Sequence, residues 1–124
     1  AEMLQKLSLW SMLILLSSCL NSSSNVQEFR VGKFKTVLED NDYVSVAVRN
    51  DSLQIETFNN KKDTFDIRWI SPFEYVLKKK NPQTLLDSTD FHVKIVSIAE
   101  NSYEFRAFYT GSNFQQKGTA YKIE

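Results

Sequence analysis

From about residue 29 onward, apolar residues recur at every second position, and that period constrains the fold more than any other feature of the chain. A β-strand turns successive side chains to opposite faces, so period two marks strands with one buried and one solvated side. Val44, Val46 and Val48 share one parity, and Leu53 and Ile55 share another across Gln54 and Glu56. Phe65, Ile67 and Trp69 alternate with Asp66 and Arg68; Phe73, Tyr75 and Leu77 with Glu74 and Lys78. Phe91, Val93 and Ile95 oppose His92 and Lys94, and Tyr103, Phe105, Ala107 and Tyr109 oppose Glu104 and Arg106. Each apolar set is expected to point inward. Two flanking segments, Phe29 to Leu38 and Phe114 to Ile123, alternate less cleanly but are rich in aromatic and β-branched residues.

Turn chemistry separates the runs. Asn50-Asp51 and Asn101-Ser102 sit at hairpin spacing, Asn59 to Asp63 reads as a polar loop, and Ser71-Pro72 breaks a boundary. Lys79 to Asp90 is the longest connection, expected to hold one helical turn after Pro82 with Leu85 and Leu86 packing down as a lid. About eight strands in sequence order predict an all-β fold: an antiparallel meander closed into a small barrel or strongly bent sheet, loosely lipocalin-like. A two-sheet sandwich is the alternative. At 124 residues, there is room for one such domain, residues 29–124.

The beginning of the chain has a different grammar. With Met3 read as the natural start, Lys6 supplies a minimal positive region, Leu7 to Leu16 an apolar run, and Ser17-Ser18 two small residues. That is the architecture of a secretory signal peptide, and the run is shorter than the roughly 20 residues that cross a bilayer. Leu16-Ser17-Ser18-Cys19 resembles the bacterial lipobox. The resemblance implies that residues 1–18 are removed and that Cys19, the chain's one cysteine, carries the lipid by which the protein is membrane-anchored. Several acyl chains hold a protein stably where one does not. Residues 19–28, beginning with the lipidated cysteine and running through Leu-Asn-Ser-Ser-Ser-Asn, then read as a flexible tether. No aspartate follows the cysteine and no acidic run comes after it. By the same resemblance the domain hangs from the outer membrane, facing the periplasm.

Chemistry is sparse. Basic and acidic residues number 15 each, and removing residues 1–18 takes one from each side, leaving 14 against 14. A neutral domain lacks the positive field that drives nucleic-acid binding, so no nucleic-acid partner is expected. One cysteine cannot make an internal disulfide or a structural zinc site, and one histidine, His92, argues against a catalytic triad or a His-based metal site. No cofactor or metal is expected, and the chain is read as no enzyme. The three glycines are isolated, and the Glu39, Asp40 and Asp42 cluster has no glycine at a bend, as a calcium loop would need. Lys78 to Lys80 reads as a solubilising strand end. Phe65, Trp69, Phe73 and Tyr75 are the densest aromatic group. They read as core, and in a hollow barrel they would line a ligand cavity.

The runs "RNDSLQIETFN", "DTFDIRWISPFEYVLKKKNP" and "QKGTAYKI" resemble a family of small Bacteroidetes-type envelope lipoproteins. The likeness spans about residues 30–123 and marks Arg49, Asn50, Asp51, Ser52, Trp69, Glu74, Tyr75, Asn81, Pro82, Lys117 and Gly118 as family-like positions. It implies an envelope lipoprotein without implying a mechanism. Members often carry a cysteine before the Glu-Tyr pair, where this chain has Phe73. Some members bear a DNA topoisomerase IV label, but a neutral exported domain of this length has no room for an ATPase, a DNA gate and magnesium carboxylates. "DSL" at Asp51–Leu53 and "DST" at Asp87–Thr89 resemble short Bacteroidetes O-glycosylation signatures, which implies Ser52 and Ser88 as acceptors. Two functions follow. The first is an envelope interaction or structural module that docks a protein partner through an apolar patch or free strand edge. The second is a binding protein for a small apolar ligand inside a barrel. The short mature chain favours the first, because a cavity competes with the core for space.

Overall fold

The computed structural model describes residues 25–124, so Cys19, the signal segment and most of the tether lie outside the described residues. A short 3₁₀ turn, Val26–Phe29, leads into eight strands: β1 Gly32–Leu38, β2 Val44–Arg49, β3 Leu53–Phe58, β4 Lys61–Ser71, β5 Glu74–Lys79, β6 Phe91–Ile98, β7 Ser102–Tyr109 and β8 Gln116–Lys122. Each pairs antiparallel with the next, and β8 returns to β1, closing an up-and-down barrel. The sandwich is thereby excluded. Closure gives every strand two partners and leaves no free edge among the described residues.

Turn residues fix the registers. Asn59 and Asn60 both adopt positive φ, 48° and 64°, which is the backbone of a two-residue type I′ hairpin. The expected polar loop is therefore two residues long, and Lys61 to Asp63 belong to β4. At the β2–β3 corner the Asn50 side-chain oxygen accepts from the amides of Ser52 and Leu53 at 3.0 and 2.9 Å. Irregularities at Ile70 in β4 and Val96 in β6 shift the pairing there and help the sheet to curl.

The barrel has two unlike ends. Near the chain termini, Phe29, Phe34 and Tyr103 are essentially fully buried and pack edge-on, with ring centroids 5.2–6.4 Å apart. Ile67, Ile95, Phe105 and Ala120 complete this plug. Burying side chains of this size contributes about 1.5–3 kcal/mol each. Gly118 is part of the same fit: a Cβ there would lie 2.7 Å from both the Phe105 ring and the Val37 carbonyl, so only glycine leaves that ring its place. The other end, bounded by residues 39–43, 59–60, 80–90 and 110–115, is open.

Alternation in β4 to β7 turns inward as the sequence implies, and in β2 and β3 it does not. Ser45, Ala47 and Arg49 are buried inside β2, while Val44 and Val48 are 43% and 52% exposed on its outer face. In β3 Gln54 is buried inside and Ile55 faces outward, with half-buried Leu53 on its outward parity. Phe73 is half exposed in the β4–β5 turn and does not join the core. Leu85 and Leu86 form no lid: both point to solvent, and the segment is instead held by Asp87, whose carboxylate accepts from the Gln83 amide.

Candidate functional site

The inversion of β2 and β3 has a physical reason in the open half of the barrel, which holds a cavity of about 590 Å³. Its two walls differ. Strands β2 and β3 contribute mainly polar groups, Ser45, Arg49, Gln54 and Glu56, with Phe58 at the mouth; strands β4 to β7 contribute Phe65, Leu77, Phe91, Val93, Phe105 and Tyr109, with Asp63 and Lys79 at the mouth and Tyr75 at the floor. Polar residues therefore line one side, and the valines of β2 are left outside. Such a volume lies within the roughly 300–1,000 Å³ usual for small-molecule sites.

Arg49 forms the floor. Its Nη1 donates to the Phe29 carbonyl at 2.8 Å, its Nε to Gln54 Oε1 at 2.9 Å, and its Nη2 to the hydroxyls of Tyr75 and Tyr103 at 3.1 and 3.0 Å. The two hydroxyls are 2.8 Å apart. The guanidinium lies over the rings of Phe34 and Tyr75, 4.3 and 4.7 Å from their centroids. All of these partners are neutral. Burial, with Arg49's charge working the other way, pushes the Tyr75 hydroxyl well above its ordinary pKa. Tyr43, higher in the cavity, donates to Glu56, and burial and that carboxylate both raise its pKa. At the mouth Lys79 bridges Asp63 and Asp87 at 3.5 and 3.6 Å, and the Gln83 amide is the main cause holding the Asp87 carboxyl below its usual range.

Of the expected aromatic group, Phe65 and Tyr75 line the cavity. Trp69 does not: it packs at the closed end against Tyr75 at 4.8 Å, under the Arg30 guanidinium at 4.9 Å. Phe73 lies in its turn, away from both. Ser52 and Ser88 are exposed turn residues; the Ser88 hydroxyl donates to the Leu85 carbonyl at 2.8 Å. Sequence reasoning missed Arg49, Gln54 and Glu56 as site residues. The available signal was parity, because Arg49 shares its side of β2 with small Ser45 and Ala47 rather than with the valines.

Sequence reasoning also left His92 without partners, and the structure supplies them on the outer wall. Its Nε2 meets the Thr110 hydroxyl at 2.9 Å, its Nδ1 meets Glu74 at 3.3 Å, and its ring stacks on Phe108 at 5.1 Å. The Thr110 hydroxyl also donates to the Asp90 carbonyl at 3.4 Å. This hydroxyl–imidazole–carboxylate chain is not among the residues lining the cavity. Comparison of the chain with protein-family models, with curated proteins and with solved structures finds no match.

Raised tyrosine pKa values make a definite pH dependence. Tyr75 stays protonated in the fold while the unfolded chain ionises near pH 10, so its contribution is complete below pH 10 and declines as pH rises above it. Urea unfolding between pH 9 and 11 is expected to show stability falling, by up to about 1.4 kcal/mol per pH unit from this group. A Tyr75→Phe variant should lose that part of the slope. An unchanged slope would mean that Tyr75 ionises in the native barrel.

Proposed function

We propose that this domain is a lipid-anchored envelope protein that binds a small amphipathic ligand in the open half of its barrel. The observation that supports this reading is the 590 Å³ cavity with one polar and one apolar wall. A purely apolar ligand would displace water from the spare donors of Arg49 and Gln54 without replacing its hydrogen bonds, which is costly. A ligand with a polar edge and a hydrocarbon or ring face satisfies both walls. The test uses the uncharged fluorophore N-phenyl-1-naphthylamine with the chain purified into detergent-free buffer. One equivalent is expected to bind with enhanced emission, and Ser45→Phe or Leu77→Trp, each filling the cavity from a different wall, should weaken it at least tenfold. No binding, or binding indifferent to both substitutions, would reject the reading.

The anchor is proposed on Leu16-Ser17-Ser18-Cys19. Protein isolated from bacterial membranes is expected to have the mass of residues 19–124 plus acyl chains, with Cys19→Ser unprocessed. The mass of the whole unmodified chain would withdraw the anchor, and with it the outer-membrane placement.

A second reading, the protein-docking module, is favoured by the outer face of β1 to β3. Val37, Val44, Val46, Val48 and Ile55 lie there side by side, registered against Lys33 and Lys35. Such a face suits an apolar protein surface rimmed by carboxylates. In cells, cross-linking between Lys35 and an envelope protein should then be abolished by Val48→Glu; cross-links that survive the substitution would exclude docking through this face.

A further inference from the structure

Resting on the cavity reading, we infer that the ligand is an anionic amphiphile whose carboxylate sits on the barrel floor at Arg49, between Tyr75 and Gln54. The argument is a count of donors and charge. A guanidinium has five N–H groups and stays protonated. Four hydrogen bonds account for four of them, all to neutral oxygens, and one Nη1–H has no acceptor among the described residues. Tyr75 and Tyr103 bring two hydroxyl protons; one is spent between them, leaving one to give away. Gln54 uses its carbonyl oxygen on Arg49, and its amide group donates to nothing among the described residues. Arg49, Tyr75 and Gln54 all line the cavity.

The floor thus offers three unspent kinds of donor around one positive charge. Arg49 makes no ion pair among the described residues. A cation that is 3% exposed and held only by neutral partners carries a desolvation cost that a bound anion would offset. A carboxylate matches the flat fork of the guanidinium and takes the spare donors through its two oxygens. Above the floor, Leu77, Val93, Phe91 and Phe105 accept the hydrocarbon, while Tyr43 and Glu56 offer hydrogen bonding to any polar group along the opposite edge.

Decanoate and decanol are of equal chain length and differ in the charged group. Each is titrated against the chain loaded with N-phenyl-1-naphthylamine at pH 7.5. Decanoate is expected to displace the fluorophore at a concentration at least tenfold below decanol. Gln54→Leu and Tyr75→Phe leave Arg49 its bond to the Phe29 carbonyl, and each is expected to cut that preference at least threefold. Equal potency of acid and alcohol, or a preference that survives both substitutions in folded protein, would overturn the inference and leave the cavity reading standing. Failure of the fluorophore itself to bind would overturn both.

Discussion

One guanidinium ties the molecule together at its closed end. Arg49 bonds the carbonyl of Phe29, the side chain of Gln54 on β3 and the hydroxyls of Tyr75 and Tyr103 on β5 and β7. It thereby joins the N-terminal turn to β2, β3, β5 and β7. Hydrogen bonds to a charged group contribute roughly 1.5–3 kcal/mol each, against a substantial cost for removing the charge from water. The rings of Phe34 and Tyr75 on either side exclude water, and that keeps those bonds strong. The same burial makes the closed end a defined floor.

The interior of a barrel of this size must supply packing for stability, and this one also holds a cavity. The chain accommodates both by dividing the interior along its length. Phe29, Phe34, Ile67, Ile95 and Tyr103 fill the half near the termini, and the half near the long β5–β6 connection is hollow. Chain length weighed against a cavity because it assumed a uniformly packed core. The short aromatic plug supplies enough dense packing at one end to leave the other open.

Legibility in the sequence followed the same division. Strands β4 to β7 read correctly because their inward side chains, such as Phe65, Ile67, Val93 and Phe105, face either the plug or the apolar wall, and both select hydrophobic residues. In β2 and β3 the inward side is the polar wall, so the rule that apolar means buried assigned Val44, Val48 and Ile55 to the wrong face. The rule fails where the inward side chains line a polar cavity wall instead of packed core. Leu85 and Leu86 misled for a simpler reason: the connection is fastened by Asp87 and its backbone bonds, so it has no need of buried leucines. Closure of the barrel was legible in strand count and in the need to pair edges; the division of its interior was not.

The 3₁₀ turn that plugs the barrel also fixes a direction. Asn25 enters the fold at the closed end, opposite the mouth, so a leash from the proposed anchor at Cys19 would reach the plugged pole. Six residues reach at most about 20 Å, less than would let the domain somersault freely against a bilayer. Under the proposed anchor the mouth therefore looks away from the membrane that holds it. Cargo would arrive through the aqueous space, and lateral entry from the anchoring leaflet would be shut off by the plug. Under the proposed anchor and cavity reading, a cup tethered in this way would intercept molecules in transit and would not draw them from its own lipid.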